Sequence, residues 1–479
     1  MKKTILSLMA FAAVSSAFAG GLLTNTNQNA AFVRNFAQEG KIDLTSIYAN
    51  PAGGAFLENG WHLSLNNQTA FQQRNIETTF PLFQYNYENR NTTHRFEGKA
   101  TAPAVPSVTV SYNKDKWSLS AHFAISGGGG KCEFDRGLGS FEAAYSGMIV
   151  QRMQAHGVLT GLLTQGLLAN GYDIATASAL AATGKFKGYS INSFMKGKNY
   201  HFGLQIGGTY KFLDNLSGFV GIRGLYATAN YNGAVNPSIA YSLTTPEGEV
   251  NNTQALNNYG IELNCDQTGF GATVILGIDY KINDKWNVSA KYESPTRLNL
   301  KNKSEINVPS EEVRTQAAAI LGQFEDGKKV REDVPALLAL DAQYSPIEKV
   351  RIDAAYHQFF DKVSTKYMDR QDLISHNTHE FLLGAEYDIC KLITVSGSWE
   401  ITRYGMDDEF MNDLSFNLSN NMIGAGVRVN ATKKLSIDLG YMCTFYNDRE
   451  VTTPTAAGPK TDVYQRKNHT FGIGFNIDL

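Results

Sequence analysis

The sequence predicts an all-β protein, a fourteen-stranded antiparallel transmembrane β-barrel with an N-terminal plug segment and helical external loops. Three observations predict it: an export signal with no later apolar stretch long enough for a spanning helix, short turns recurring between alternating segments, and a strictly alternating C-terminal strand. A membrane protein without spanning helices has to close its strands into a barrel, because every backbone polar group needs an internal partner in lipid.

The first nineteen residues have the features of a secretory signal peptide. Two lysines precede an apolar run from 5 to 14, and Ala17-Phe18-Ala19 supplies the small residues of a cleavage triplet. The apolar run is roughly half of the about 20 residues that a membrane-spanning helix needs. We therefore expect residues 1–19 to direct export and the mature chain to begin at Gly20.

Residues 20–60 precede the first alternating segment and do not alternate themselves. They are rich in Asn, Ala and Gly, and they predict a short helix around 28–36. A barrel needs no such extension, so the segment either hangs in the periplasm or folds into the lumen as a plug. Residues 61–479 then form the barrel.

Short turns rich in Asn, Asp, Lys or Pro join the predicted strands in pairs. They lie at 113–115, 213–215, 283–285, 345–347, 388–390 and 430–432. With a first strand at 61–76 and the last strand, they define fourteen strands. The connections at the opposite end are longer, roughly 78–94, 127–185, 233–266, 304–331, 363–376, 404–416 and 447–464. Short turns on one side and long loops on the other are the plan of outer-membrane barrels.

Aromatic residues mark the short-turn end of the strands. They have the parity of the apolar face: Trp61, Tyr112, Trp117, Tyr210, Tyr280, Trp286, Tyr344 and Tyr387. Amphipathic rings favour the depth where lipid meets water, so these residues predict an aromatic girdle at this end.

The opposite parity carries charges of both signs, which predicts a polar lumen. The residues expected to point inward are Arg223, Asp279, Lys291, Glu293, Asp341, Arg351, Asp353, Glu386, Glu400, Arg428 and Asp438. Since these charges can neutralise one another, they favour a filled lumen over an open channel.

The last strand alternates without interruption from 469 to 479. Its apolar face consists of His469, Phe471, Ile473, Phe475, Ile477 and Leu479, and its other face of Thr470, Gly472, Gly474, Asn476 and Asp478. We expect the strand to pair with 61–76 and close the barrel. It also resembles the C-terminal signal by which the barrel-insertion machinery recognises bacterial outer-membrane proteins.

The N-terminal segment resembles the hatch of the FadL family of outer-membrane transporters for long-chain fatty acids and other hydrophobic compounds. The residues that carry the resemblance are Asn29-Ala30-Ala31, Arg34, Phe36, Ala37, Gly40, Asp43 and Asn50-Pro51-Ala52-Gly53. The strand count and the terminal strand agree with it, although the chain ends in Leu479 where many members have Phe or Trp.

This resemblance implies uptake of a hydrophobic small molecule across the bacterial outer membrane. The ligand would be captured at external loops beside lipopolysaccharide, pass to an internal pocket and leave sideways at a kinked third strand, gated by the hatch carrying Asn50, Pro51 and Ala52. We expect a monomer with no cofactor. A surface-structural or adhesive barrel and a general diffusion porin are the alternatives.

A run of four glycines, Gly127, Gly128, Gly129 and Gly130, lies at the upper end of the predicted third strand. Glycine runs weaken strand pairing and permit a kink or bulge. The sequence disfavours a phosphate-binding loop, because no Lys-Ser or Lys-Thr follows and the run does not lead from a strand into a helix N-terminus. We hypothesise that these glycines help to form the lateral gap.

The long third connection contains an apolar helical stripe of Leu159, Leu162, Leu163 and Leu167. One interpretation is a ligand-capture surface, which the family resemblance favours. The other is a face that only packs on neighbouring loops.

Other chemistry has weak support in the sequence. Cys132 and Cys265 are expected in loops on one side, where they are either bridged or free, while Cys390 and Cys443 are isolated. His376 and His379 enter a strand and match neither zincin motif, so no metal site is predicted. No nucleophile lies in a recognisable catalytic motif. A net charge of −2 with mixed signs disfavours nucleic acid as a partner.

Overall fold

The computed structural model describes residues 29–155 and 157–479, which form one closed antiparallel sheet in which the first strand pairs with the last. The predicted signal peptide, 1–19, lies outside the described residues. The strands are β1 (Gly60–Thr79), β2 (Thr93–Lys114), β3 (Trp117–Phe134), β4 (Lys185–Leu213), β5 (Leu216–Thr245), β6 (Gly248–Ala255), β7 (Ile261–Lys281), β8 (Trp286–Glu293), β9 (Asn299–Asn307), β10 (Lys329–Arg331), β11 (Leu337–Ile347), β12 (Val350–Phe359), β13 (Ile374–Asp388), β14 (Ile393–Met406), β15 (Asn420–Asn430), β16 (Leu435–Tyr446), β17 (Arg449–Thr455) and β18 (Gly458–Asp478).

These segments make a fourteen-stranded barrel wall, as the sequence predicts. β8 and β9 both pair with β7 and form one interrupted wall strand, and β10 and β11 form the next. β6 pairs only with β5, and β17 only with β18, so both lie above the wall as hairpin extensions.

Two of the predicted long external connections contain strands of their own. The connection at 233–266 is largely the β5–β6 hairpin, and that at 447–464 is the β17–β18 hairpin. Most exposed positions there are polar, such as Asn236, Glu249 and Thr452, so the lipid-facing pattern disappears although the chain remains extended. The glycines at 127–130 accordingly lie within β3.

Helices occupy two of the remaining external connections. They follow β3 and β9, and a further short helix lies in the N-terminal segment: α1 (Ala30–Arg34), α2 (Gly139–Gln154), α3 (Val158–Ala169), α4 (Ile174–Ala182) and α5 (Glu311–Leu321). Among the described residues, no helix is long and apolar enough to cross a membrane.

The barrel exterior is an apolar belt with aromatic rings at its short-turn end. Trp61 is 53% exposed, and its ring centroid lies 4.8 Å from that of Tyr112, which in turn lies 5.7 Å from that of Trp117. Trp286 stacks on Tyr344 at 4.4 Å. The predicted girdle is therefore present, and the outer surface is that of a protein embedded in a bilayer.

Of the two alternatives for Cys132 and Cys265, the structure has the unbridged one, and all four cysteines are free thiols. Cys132 lies opposite Gly197, Gly197 opposite Tyr231, and Tyr231 opposite Cys265, so two strands separate the sulfur atoms. Three strand spacings exceed the about 7 Å between Cα atoms that a disulfide allows.

We expect denatured protein that was never reduced to take up four maleimide labels per chain, one for each thiol. Mass spectrometry of the intact chain checks this. Two labels, rising to four after reduction, would contradict the structure.

Candidate ligand path

Residues 29–57 pack inside the barrel as a plug, with nearly all their side chains buried. Asn29 caps α1 by accepting a hydrogen bond from the Ala31 amide at 2.8 Å. Phe32, Val33, Phe36 and Ala37 then pack against apolar side chains of the inner wall, namely Ala355, Leu382, Met422 and Met442. The plug therefore has a small hydrophobic core of its own with the wall.

Cations of the plug are held by carboxylates of the wall. Arg34, 1% exposed, contacts Glu386 and Asp438, each at 2.7 Å. Lys41 contacts Glu386 at 2.6 Å. Because truncating one partner of a buried pair leaves an uncompensated charge, these contacts fix the plug in one position.

Carboxylates of the plug are held in the same way. Glu39 lies 3.0 Å from His357, which lies 3.0 Å from Glu380 on β13. Burial opposes the ionisation of Glu39, but the charge and hydrogen bond of His357 outweigh it and lower its pKa to about 2. The pKa of Asp43 is likewise below its ordinary value, because Arg428 outweighs burial. Both plug carboxylates are ionised at neutral pH.

The Asn-Pro-Ala motif joins the end of the plug to β4, β5 and β7. Asn50 caps a 3₁₀ helix that Pro51 begins, and its Nδ2 donates to the Ile278 carbonyl at 3.1 Å. The wall donates in return: Thr209 Oγ1 to the Pro51 carbonyl at 3.0 Å and Ser217 Oγ to the Ala52 carbonyl at 2.7 Å. The motif is thus a latch that ties the end of the plug to the wall.

The wall is interrupted between β2 and β3, beside the glycine run. The two strands pair from Lys114–Trp117 up to Ser107–Ala124 and again at Lys99–Glu133, with no pairing between. On its other edge β3 changes register against β4 at Gly127 and again before Gly130. Gly128 and Gly130 have φ of 98° and 67°, which the other residue types rarely adopt.

Sequence reasoning missed the other side of this interruption. β2 carries Pro103 and Pro106 where its pairing with β3 is absent, and proline has no backbone N–H to donate. β1 and β2 also change register here, between Gln68 and Ala70. Two prolines within an alternating segment were the sequence signal that could have predicted this break in strand pairing.

A cavity of about 90 Å³ fills the interruption. Its lining combines small and apolar side chains with polar ones, among them the charged Lys131 of β3: Gln68, Ala70, Gln72, Ala100, Thr101, Ala102, Val105, Ile125, Gly127, Gly128, Gly129, Gly130, Lys131, Tyr200, Asn468 and Thr470. We call it the lateral cavity. Some of its lining residues are buried, such as Gln68 and Thr470, and others are exposed, such as Thr101 and Lys131.

The leucine stripe of α3 is packed inside the external loops. Leu159 and Leu163 are buried against residues of α2, α4, β4 and β5, with Leu162 and Leu167 half-buried beside them. The packing interpretation therefore applies to this stripe, and the capture interpretation is wrong for Leu159 and Leu163. The exposed apolar side chains lie elsewhere in the same loop, at Leu168, Tyr172 and Ile174.

His376 and His379 lie on β13, where a register shift brings their rings within 6.1 Å of each other. No group of three His, Cys, Asp or Glu side chains among residues 29–155 and 157–479 could hold a metal ion.

Solved structures show which proteins share this architecture. A FadL homologue from Pseudomonas aeruginosa superposes with a TM-score of 0.64 at 15% identity, covering 96% of this chain and 100% of that one. The chain has the FadL fold. The toluene transporter TodX of Pseudomonas putida has a TM-score of 0.57 at 12% identity, covering 96% and 100%. The toluene transporter TbuX of Ralstonia pickettii has a TM-score of 0.50 at 12% identity, and the match covers 99% of this chain and 100% of that one.

No family model matches the chain, and no curated protein matches it in sequence. The FadL fold is therefore recognised through structural similarity over nearly the whole chain, at 12–15% sequence identity.

Proposed function

We propose that this protein is an outer-membrane transporter for the uptake of long-chain fatty acids or similar hydrophobic compounds. The observation that carries the proposal is the lateral cavity at the interruption between β2 and β3, whose lining includes both buried and exposed residues of the wall. A hydrophobic solute gains free energy by entering the bilayer there and never has to cross the periplasmic end of the barrel.

The buried plug weighs against a general diffusion porin. Arg34, Glu39 and Asn50 are at most 4% exposed, and each forms a hydrogen bond with a residue of the wall. A purely adhesive barrel would share the plug but would have no use for a break in the wall. Conductance in a planar bilayer distinguishes the proposed transporter from a general diffusion porin. Because the plug fills the lumen, we expect no open-channel conductance.

The proposed path has three stages. Exposed apolar residues of the external loops capture the ligand, which then passes to a pocket beneath them. The plug rearranges by releasing some of its polar contacts with the wall, and the ligand leaves through the lateral cavity into the membrane. The hydrophobic cargo of the structural neighbours, toluene among them, supports this class of ligand.

The proposal is tested by saturable binding of labelled oleate and labelled toluene to purified protein. We expect at least one of them to bind and to be displaced by its unlabelled form. Absence of saturable binding for both, in protein whose barrel is folded, would contradict the proposed function.

Capture at the external loops predicts that substitutions there lower the apparent affinity of uptake. Replacing Leu168 and Ile174, which are 38% and 62% exposed, by serine removes apolar area that would contact the ligand. We expect the apparent affinity in uptake to fall roughly tenfold, about 1.4 kcal/mol, with an unchanged maximal rate.

The matched control is Leu392→Ser, a leucine 48% exposed at a short turn on the opposite end of the barrel. Uptake kinetics at low and saturating ligand concentrations distinguish the two variants. If the loop variant took up ligand with the same kinetics as the Leu392→Ser control, these loop residues would not take part in ligand capture.

A further inference from the structure

Two arginines face each other on the inner wall where the barrel closes. Arg74 of β1 and Arg466 of β18 are register partners, and they are only 4% and 5% exposed. Like charges placed directly opposite each other destabilise a sheet, and burying a charge without a counter-charge costs free energy. The pair is therefore an expensive feature that closure of the barrel does not require.

Neither arginine has an acidic partner. Arg74 Nε donates to Gln72 Oε1 at 2.9 Å, and its guanidinium lies 5.6 Å from the Phe416 ring centroid. The Arg466 guanidinium lies 4.9 Å from the ring centroid of Tyr446, and its Nε has no hydrogen-bond partner among the described residues. No ion pair joins either arginine to a described carboxylate, and residues 1–28 and His156 contain no Asp or Glu.

The other buried arginines of the lumen contrast with this pair. Arg34 contacts two carboxylates, Arg223 contacts Glu293 at 2.7 Å, and Arg428 contacts Asp438 at 2.8 Å. The arginines around the plug therefore have carboxylate partners, whereas Arg74 and Arg466 form no ion pair with a described carboxylate.

The surroundings of the pair adjoin the lateral cavity. Arg74 lines a small cavity of about 30 Å³ together with the apolar side chains of Phe134, Met195 and Leu414 and with a further cation, Lys198. Gln72 and Asn468 lie one inward position below the arginines on each strand, and they line the lateral cavity itself. Cationic groups therefore stand beside a partly apolar lining at the break in the wall.

We propose that Arg74 and Arg466 bind the carboxylate of a single-chain anionic amphiphile, whose tail passes through the lateral cavity. This rests on the proposed function and selects within it ionised long-chain acids over neutral hydrocarbons. Guanidinium groups bind carboxylate through paired, charge-assisted hydrogen bonds, and the bound anion relieves the repulsion between the two arginines. The tail then enters the membrane before the head group is released.

The test compares Arg74→Gln and Arg466→Gln in full-length protein purified in an uncharged detergent. The probes are oleate, oleyl alcohol with nearly the same tail and no charge, and acetate with the head group alone. We expect each substitution to weaken oleate binding by about tenfold or more, the size of a lost charged hydrogen bond, while oleyl alcohol binding is unchanged. Acetate is expected not to compete.

Arg95→Gln is the control, since Arg95 is exposed on β2 and its side chain contacts Glu97 at 3.2 Å. It should leave the binding of oleate and oleyl alcohol unchanged. Thermal unfolding adds a second readout: without ligand, both test variants should have a higher Tm than the unmodified protein, because the repulsion is gone.

Equal oleate affinity in the unmodified protein and both variants would overturn the head-group site and leave the proposed function standing. A parallel loss of oleyl alcohol binding, or a lower Tm with unchanged oleate affinity, would assign the arginines to packing and also overturn it. If acetate displaced labelled oleate as strongly as unlabelled oleate does, the arginines would bind small anions in general, and the proposal would be overturned. If the unmodified protein binds neither long-chain probe, uptake of long-chain compounds itself is contradicted.

Discussion

Gly128→Val is expected to lower uptake at least about tenfold. Gly128 has φ of 98°, and a Cβ there would lie 2.8 Å from the Tyr200 Cα. A non-glycine residue in such a conformation costs about 1–3 kcal/mol, so the strand gains by returning to an extended conformation in which β3 can pair with β2. That change fills the lateral cavity and closes the exit.

The matched control is Gly208→Val on β4. A Cβ at Gly208 meets Leu119 at an ordinary 3.5 Å, and the glycine has no positive φ. Uptake of labelled oleate by cells, normalised to the amount of heat-modifiable barrel in the outer membrane, provides the measurement. Normal uptake by correctly inserted Gly128→Val would show that the glycine conformation is unnecessary for exit.

A disulfide between the plug and the wall is expected to stop transport and to release it on reduction. A Cβ built on Gly472 of β18 would lie 3.2 Å from the Val33 Cβ of α1, close to the about 3.5–4.5 Å that disulfides require. The pair Val33→Cys and Gly472→Cys, in a background without the native cysteines, locks α1 to the wall. We expect uptake near background when oxidised and at least half-restored after dithiothreitol treatment.

The single variants Val33→Cys and Gly472→Cys are the controls, since neither can form the bridge. Binding of oleate at the external loops should survive in the locked protein, because the lock acts after capture. Should the oxidised double variant transport as fast as its reduced form, movement of α1 is not a step of transport.

Local pattern was enough to predict the barrel from the sequence. Turns at 113–115 and 213–215 fall where strands end, and the aromatic girdle follows from parity at Trp61 and Tyr112. The turns depend on residues that are close together in the chain. The girdle forms because Trp and Tyr rings favour the interface between lipid and water.

Long-range partners explain what the sequence left out. Glu39 and His357 are 318 positions apart, and nothing local in either segment shows that they meet. The sequence left capture and packing open for the α3 stripe, because the residues that cover it, including Ile239 on β5, come from a distant strand. Cys132 and Cys265 share a row across the sheet, yet only the strand order shows that two strands separate them.

Lateral exit is the central claim, and photo-crosslinking tests it most directly. Protein reconstituted in lipid is irradiated with oleate carrying a diazirine near the end of its tail, and adducts are mapped by mass spectrometry with and without excess unlabelled oleate. We predict saturable adducts at 100–105 of β2 and 125–131 of β3, which line the lateral cavity. Saturable adducts confined to the periplasmic turns at 115–116, 214–215 and 389–392, with none in the cavity, would contradict lateral exit.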